Sequence, residues 1–319
     1  MNSDHAAHFD LVKVQNRRIL RNLLRAEGSM SVARIAEKAG LSYPTASGLL
    51  KELVKIGEAM TSPETETCGG RPGVCYELNP AYQYAFVVHF NDWTLQGTVY
   101  DACGSPVQAF SMRADTDLEI KEVVAFIKSI KEEYPRLSTV SIGVPGAVYG
   151  TDIAYLPKFY RLQGDGLAKQ LYEALDVKVF LENDINATAF AEVGEWEDFA
   201  HIVYMDADRC MGVGIIMQGE IVRGSHGYAG ELECLCSDMT KPEEVFTTSI
   251  LALTCVLNLP DILVSGGSLP KDGAERLQKR LQEILPKERI PRIHVVKDME
   301  GKYEAGLLKR VLLEWSKDL

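Results

Sequence analysis

Near the N terminus, apolar residues recur at helical spacing in three short segments that are separated by helix-breaking residues. The first predicted helix covers Gln15–Glu27 and ends before Gly28. Ser31 and Ser42 stand where the N-caps of a second and a third helix are expected, and Gly40 separates these two helices. In the third helix the apolar residues follow the i, i+3, i+4, i+7 spacing of one buried face: Ala46, Leu49, Leu50 and Leu53.

The second and third predicted helices, with the glycine-containing turn between them, form the pattern of a helix-turn-helix. The third helix would then enter the major groove of DNA, where small polar side chains contact base edges. Lys51, Lys55 and the arginines of the first helix would contact phosphates. The residues predicted to lie near the bases are Ser42, Tyr43, Thr45 and Ser47.

Two strand-like runs, Glu58–Thr61 and Val74–Leu78, follow the third helix. The segment Cys68–Gly73 between them is rich in glycine, and Pro72 stiffens it. Such a hairpin is typical of the wing of a winged helix, and Arg71 at its tip would reach into a minor groove. The same pattern also fits a helical protein-interaction module with a hairpin that does not contact DNA.

From residue 81 to residue 319, strand-like and helix-like segments alternate, which predicts an α/β body. We place the boundary at Asn79–Pro80, so that residues 1–80 form a DNA-binding domain and residues 81–319 a second domain. The sequence shows no repeat and no long linker. The predicted strands are Ala85–His89, Gly97–Tyr100, Val140–Val144, Val177–Leu181, His201–Met205, Gly212–Met217 and Ile262–Val264. The predicted helices are Leu118–Tyr134, Leu167–Leu175, Ala187–Val193, Glu243–Leu257, Ala274–Ile284 and Glu304–Trp315.

The composition excludes several classes of protein. With 319 residues, 46% of them hydrophobic, the chain can bury a large core and is not a disordered polypeptide. No apolar run reaches the ~18 residues that a membrane-spanning helix needs, and the N terminus lacks the apolar region of a signal peptide. The seven cysteines are scattered and odd in number, so we expect reduced thiols in a cytoplasmic protein.

The charge is distributed unevenly along the chain. The net charge is -11, but residues 11–57 carry nine Lys or Arg residues and three Glu residues, a local balance of +6. A basic head on an acidic body indicates that only the head contacts a polyanion such as DNA.

Five motifs follow one another in the body, and together they carry a family resemblance. They are Ser141–Gly146 (SIGVPG), Leu181–Ala187 (LENDINA), Gly212–Ile216 (GVGII), Gly227–Glu231 (GYAGE) and Asp261–Gly267 (DILVSGG). With these motifs behind a winged helix, the chain resembles the ROK family of repressors and sugar kinases. The resemblance implies an N-terminal winged helix-turn-helix followed by a two-lobed actin-like ATPase fold of the sugar-kinase type, shortened in its second lobe.

The resemblance also locates the two turns with which the kinases of this family hold phosphate. The kinases have Asp-x-Gly-Gly-Thr where this chain has His89–Trp93, and Gly-Thr-Gly where it has Asp208–Cys210. Asp92 would place a carboxylate where the nucleotide phosphate binds, and like charges repel. We therefore expect weak or absent ATP binding, no phosphoryl transfer, no catalytic residue and no cofactor.

The sugar-binding residues of the family match this chain better. Asn183 and Asp184 match the pair that contacts the sugar, and without the phosphate turns Asp184 would bind a ligand rather than act as a general base. Glu231 matches a second carboxylate of the family, Glu233 stands at the glycine of that Glu-x-Gly-His motif, and Gly146 would line the pocket. A structural interpretation stays open, in which Asn183 caps the next helix and Glu231 makes an ordinary ion pair.

Two further features of the family are altered or ambiguous. Members often hold a structural zinc with one His and a Cys-x-Cys-Gly…Cys cluster, but Cys234–Cys236 lacks the glycine and a nearby third thiol, so we expect no metal. Lys158 and Arg161 lie where the family has a pocket-lining loop. They are either ligands for a sugar phosphate or ordinary solvated charges.

Together these features predict a transcriptional regulator, a repressor, that binds a double-stranded DNA operator as a homodimer. A small carbohydrate or sugar-phosphate effector would bind between the lobes of the body and shift the geometry of the heads. We expect a cytoplasmic protein at the nucleoid with no membrane partner. Two alternatives remain: a sugar kinase with residual phosphotransfer activity, and a regulator whose body serves only for dimerisation.

Overall fold

The computed structural model describes residues 2–68, 71–114, 117–205, 210–232, 235, 241–266, 272–296 and 299–317. Within these ranges it describes no side chain for residues 2–11, 64–68, 71–72, 205, 210, 266 and 299–300. Among the described residues, no helix is long and apolar enough to cross a membrane.

The N-terminal head consists of three helices and a small antiparallel sheet. The helices are α1 (Asn2–Glu27), α2 (Val32–Ala39) and α3 (Tyr43–Lys55), and the strands are β1 (Met30–Ser31), β2 (Ala59–Cys68) and β3 (Arg71–Leu78). The strand order is β1-β3-β2, the topology of a winged helix. Helix α1 begins well before the predicted Gln15, and both wing strands are longer than predicted.

Local capping explains the two short helices of the head. The Ser31 hydroxyl accepts a hydrogen bond from the Arg34 amide (3.4 Å), and the Ser42 hydroxyl accepts one from the Thr45 amide (3.3 Å). Gly40 ends α2 with a φ of +65°, a conformation that glycine adopts without steric cost. The predicted stripe of α3 is confirmed, since all four of its members are buried: Ala46, Leu49, Leu50 and Leu53.

The first lobe of the body is a five-stranded sheet in the order β10-β7-β4-β5-β6. Its strands are β4 (Tyr84–Asn91), β5 (Thr94–Tyr100), β6 (Pro106–Arg113), β7 (Leu137–Val144) and β10 (Lys178–Asn183). Between the last two strands lies a short pair, β8 (Val148–Tyr149) and β9 (Asp152–Ile153). Helices α4 (Ile120–Glu133) and α5 (Gly166–Leu175) pack on one face and form the largest apolar core of the protein.

The second lobe repeats this plan. Its strands are β11 (Phe199–Met205), β12 (Cys210–Met217), β13 (Glu220–Ile221), β14 (Asp261–Gly266) and β15 (Arg292–Val295), and its helices are α7 (Pro242–Val256) and α8 (Gly273–Ile284). Read from β15 to β13, the sheet has the same succession of parallel and antiparallel pairs as the first lobe read from β10 to β6. The repetition lies in the topology, which is why the sequence shows no repeat.

Two helices complete the body, α6 (Asp184–Ala191) and the C-terminal α9 (Met299–Lys317), and they pack against each other. At their closest approach Gly306 lies against the Ala187 carbonyl, where an added Cβ would overlap the oxygen. Helix α9 also covers the open face of the first-lobe sheet with an apolar stripe: Leu307, Val311 and Trp315. The expected α/β fold, a winged helix-turn-helix ahead of a two-lobed body, is confirmed.

Candidate functional sites

The N-terminal end of α3 is exposed on the surface of the head. Tyr43, the first residue of the helix, is 57% exposed, and Thr45 and Lys51 are exposed as well. Ser47 is half-buried against the apolar side of the helix. Three of the four predicted base-contacting residues, Ser42, Tyr43 and Thr45, are therefore exposed at this end of the helix, while its opposite side packs on the core of the head.

Ser42 is exposed and caps the helix through its side chain. Besides accepting the Thr45 amide, its Oγ lies 2.8 Å from the Thr45 Oγ1. Ser42 therefore fixes the start of α3 and positions the Thr45 hydroxyl.

The expectation that the arginines of the first helix contact phosphates is wrong for two of them. Arg21 is buried and donates to both carboxylate oxygens of Glu58, with 2.8 Å between Nη2 and Oε2. Arg25 donates to the Ala102 carbonyl and to the Ser316 hydroxyl of the body (3.3 Å each). A basic residue can be buried in the core of a small domain when a carboxylate pairs with it. The partner of Arg21, Glu58, lies far away in the sequence.

The structure describes only part of the predicted wing. The backbone of Arg71 begins β3 opposite Cys68. The Arg71 side chain and residues 69–70 lie outside the described residues, so its contact with a minor groove stays a prediction.

In the body, the junction of β10 and α6 assembles the predicted effector residues. Asn183 caps α6, because its Oδ1 accepts the Asn186 amide (2.9 Å). Its Nδ2 donates to the Gly146 carbonyl (2.9 Å) and to Asp184 Oδ1 (3.0 Å). An added Cβ on Gly146 would overlap the Tyr155 carbonyl oxygen, so the loop closes tightly here. The structural interpretation of Asn183 as a cap is thus correct, and its Nδ2 also positions the neighbouring Asp184 carboxylate.

Asp184 is the electrostatically unusual group of this junction. It is half-buried, and its Oδ1 also accepts the Ile185 amide (2.8 Å). Burial, with a contribution from the charge of Glu231, raises the pKa of the Asp184 carboxyl to about 7. Glu231 itself is exposed, and Glu233 lies outside the described residues. The body therefore brings two of the predicted carboxylates into electrostatic contact.

The raised pKa of Asp184 gives the stability of the protein a pH dependence. Between about pH 4, the ordinary value for an unfolded Asp, and about pH 7, the folded state holds more protons than the unfolded state, so stability falls as pH rises. We expect Asp184→Asn to raise the melting temperature by several degrees at pH 8 and by much less at pH 5. The same substitution at exposed Asp165 controls for the lost charge. An equal effect of Asp184→Asn at both pH values would contradict the assignment.

Tyr303 of α9, which the sequence did not indicate, lies next to Asp184. Its hydroxyl oxygen is buried and has no hydrogen-bond partner among the described residues. An added Cβ on Gly143 would overlap this hydroxyl, and the His89 ring lies 4.9 Å from the Tyr303 ring. Burial and the charges of Asp184 and Glu182 hold the pKa of the phenol well above its usual value. The junction therefore holds a neutral hydroxyl donor within electrostatic range of the Asp184 carboxylate.

An ion pair joins the two lobes next to this junction. The buried Glu182 of β10 pairs with Arg223, which follows β13 of the second lobe. Glu182 also accepts the Asn183 amide (3.2 Å). This pair holds the second lobe close to the first at the effector residues.

The turn at His89–Trp93, predicted to match the first phosphate site of the family's kinases, makes contacts within the protein. Asp92, with a φ of +51°, pairs with Lys158, whose hydrogen bond lowers the pKa of the Asp92 carboxyl. The Trp93 ring packs edge-on against Phe159, with centroids 5.4 Å apart. His89 Nε2 lies 3.2 Å from Gln96 Nε2. Asp208 and Arg209 of the second predicted phosphate site lie outside the described residues, and no side chain is described for Cys210.

The remaining candidates concern anions and metals. Arg161 pairs with Glu119 (2.8 Å), so both basic residues of the pocket-lining loop have intramolecular carboxylate partners. Among the described side chains, no three His, Cys, Asp or Glu residues are placed to hold a metal ion. Cys234 and Cys236 lie outside the described residues, so the predicted lack of zinc stays a prediction.

Two family models match separate stretches of the chain. The sequence model of the IclR helix-turn-helix domain matches residues 18–58, and that of the ROK family matches residues 98–238. The xylose repressor of Bacillus subtilis is 25% identical over 242 residues, which cover 73% of this chain and 63% of that protein. The chain thus spans less than two thirds of that relative's length.

Two other relatives cover nearly the whole chain. A putative xylose repressor of a Caldicellulosiruptor species is 22% identical over 94% of this chain and 81% of its own length. The crystal structure of a ROK family transcriptional regulator, a homologue of the Escherichia coli MLC protein, superposes with a TM-score of 0.71 at 15% identity, covering 94% of this chain and 96% of that one. The chain is thus similar to the IclR helix-turn-helix domain over residues 18–58 and to the ROK family over residues 98–238.

Proposed function

We propose that the protein is a sugar-responsive transcriptional repressor. The observation that carries the proposal is the exposed N-terminal end of α3, with Tyr43 and Thr45 on its surface, in a winged head joined to a ROK family body. The two xylose repressors among the relatives support it, since their names assign them this function.

In this proposal α3 lies in the major groove of an operator. Two heads of a homodimer bind the two half-sites, and residues 1–80 and 81–319 act as separate domains in the cytoplasm, at the nucleoid. Ser42 contributes by positioning the helix and the other residues by contacting DNA. The contacting set is Tyr43, Thr45, Ser47, Lys51 and Arg71.

The effector in this proposal is a small carbohydrate bound in the cleft beside α6. Asp184 accepts a hydrogen bond from a sugar hydroxyl, and Tyr303 donates one to a sugar oxygen, which suits the alternating donors and acceptors of a polyol. Glu231 and Glu233 contact further hydroxyls, and Gly146 with Asn183 shapes the wall of the site. The names of the relatives make D-xylose the first compound to test.

We also propose that the body transfers no phosphate. A metal-bound nucleotide needs a turn whose backbone amides face the phosphate, whereas here Asp92 is paired with Lys158 and His89 takes the place of the family's carboxylate. Sugar-dependent ADP release by the full chain would contradict this part of the proposal.

The proposed function is tested by the salt dependence of DNA binding. A duplex that binds the wild-type protein is first selected from a random library. Its Kd is then measured by fluorescence anisotropy at salt concentrations between about 50 and 200 mM. Over this range the phosphate contacts of a DNA-binding protein change its affinity by orders of magnitude. Lys51→Ala should weaken binding and reduce the slope of log K against log salt by about 1, because one phosphate contact is lost. Lys279→Ala, an exposed lysine of α8, is the matched control. Failure to select any duplex, or equal slopes for the two variants, would count against the proposal.

A further inference from the structure

The C-terminal helix α9 reaches from the effector cleft to the DNA-binding head. Tyr303 lies near its N-terminal end and Ser316 near its C-terminal end. At 1.5 Å per residue, the 13 steps between them span about 20 Å. A single straight element thus contacts both proposed functional regions.

At the cleft end, α9 meets the effector residues through the Tyr303 hydroxyl. This hydroxyl is buried between Gly143, His89 and the carboxylates of β10 and α6, with no hydrogen-bond partner among the described residues. A buried donor without an acceptor is unfavourable, so a ligand oxygen that accepts from it gains affinity. One residue earlier, Lys302 pairs with Glu192 (3.1 Å), just after the end of α6.

Along its length α9 contacts α6 and strand β7 of the first lobe. Gly306 allows close packing on Ala187, and the Ser141 hydroxyl donates to the Leu307 carbonyl (3.3 Å). The Lys309 ammonium donates to the Ala191 carbonyl (3.2 Å), beyond the middle of the helix. Because close-packed interiors transmit strain, a change of packing at one end of α9 affects its contacts at the other end.

At the head end, α9 holds α1 through a hydroxyl. Ser316 is buried, and its Oγ lies 2.8 Å from Asn22 Oδ1 and accepts from Arg25 Nη1 at 3.3 Å. Arg25 also donates to the Ala102 carbonyl of the first lobe (3.3 Å). The orientation of α1, and with it that of the head, is therefore set where α9 ends.

We propose that α9 couples the effector cleft to the DNA-binding head, with Tyr303 as its effector contact and Ser316 as its contact to the head. The inference rests on the proposed function and names its regulation. A sugar that engages Tyr303 favours one position of α9, the operator favours one position of the head, and the Ser316 contact makes the two preferences interdependent.

The inference is tested by measuring a coupling factor with calorimetry. This factor is the ratio of two dissociation constants of the full chain for D-xylose, one measured with operator duplex and one without it. We expect a factor of about 5 or more for the wild type, as in other allosteric proteins. In Ser316→Ala the factor should fall to within twofold of unity while the D-xylose Kd of the free protein stays unchanged. Ser129→Ala is the matched control, because the Ser129 hydroxyl bonds only its own helix, at the Phe126 carbonyl (2.7 Å).

The Tyr303 contact is tested separately with Tyr303→Phe, which keeps the ring and removes the donor. We expect D-xylose to bind this variant about tenfold more weakly. A coupling factor that survives in Ser316→Ala, or unchanged D-xylose affinity in Tyr303→Phe, would overturn the corresponding half of the inference.

A ligand-free measurement distinguishes failure of the inference from failure of the proposed function. Hydrogen exchange of residues 12–27 is followed in the full chain. Tyr303→Ala should raise the exchange rate of these residues at least threefold. The control Tyr172→Ala, at an exposed tyrosine of α5, should leave the rate unchanged. Adding Ser316→Ala to Tyr303→Ala should not change the rate further. If α1 responds in this way although D-xylose and DNA do not bind, the coupling stands and the proposed function falls. If α1 exchanges as in the wild type, the coupling is refuted.

Discussion

Arg21→Ala is expected to destabilise the head by about 3–5 kcal/mol, because it leaves a buried carboxylate without its partner. Arg21 is 2% exposed and Glu58 is 8% exposed, and the guanidinium donates to both oxygens of the carboxylate. The pair joins α1 to the start of β2, so its loss separates the first helix from the wing. Urea unfolding followed by circular dichroism measures the change.

Two further variants show whether burial causes this loss. Arg18→Ala removes the same charge from an exposed position three residues earlier and should change stability by less than about 0.5 kcal/mol. Replacing both partners, Arg21→Met with Glu58→Leu, should recover most of the stability, because neither residue then buries an unpaired charge. If Arg21→Ala were no worse than Arg18→Ala, the pair would not stabilise the head.

Gly306→Ala is expected to cost about 3 kcal/mol, the upper range for forcing extra volume into a packed interior. The added Cβ would overlap the Ala187 carbonyl oxygen, a backbone atom that moves only if α6 or α9 moves. Thermal unfolding of the full chain should show the loss as a lower melting temperature. Effector binding should weaken as well, since Asp184 and Tyr303 lie on the two helices that are forced apart.

The matched control is Gly301→Ala, in the same helix but at an exposed position. There alanine should stabilise the protein by about 0.5–1 kcal/mol, the difference in helix propensity between the two residues. Opposite signs for the two substitutions would confirm that close packing, and not propensity, requires Gly306. The same sign for both would show that α6 and α9 can move apart without cost.

The head could be predicted from sequence because its signals are local. Ser31, Gly40 and Ser42 mark helix ends through contacts with residues three or four positions away, and the apolar spacing of α3 shows its buried face. Strand β6 was missed because six of its eight residues are exposed, so no alternation marks it. Strand β15 was missed because no residue of this four-residue strand is fully buried.

The site residues that could be predicted from the sequence are likewise those whose contacts are local. Asn183 and Asp184 adjoin in sequence and could be identified as one motif. The role of Tyr303 depends on its packing against Gly143 and Asp184, more than a hundred positions earlier, and nothing around it in the sequence indicates that contact. Arg21 was misassigned for the same reason, since a basic residue on a predicted surface helix has no local sign of a partner 37 positions away.

The matching strand orders of the two lobes make α6 and α9 counterparts, since α6 follows the last strand of the first lobe and α9 follows the last strand of the second. The copy in the first half has 8 residues and the copy in the second half has 19. The additional length of α9, about three turns, extends this helix beyond the second lobe and onto the head. A fold made of two like halves can thus acquire an output by lengthening a single terminal segment, with the architecture of both halves left intact.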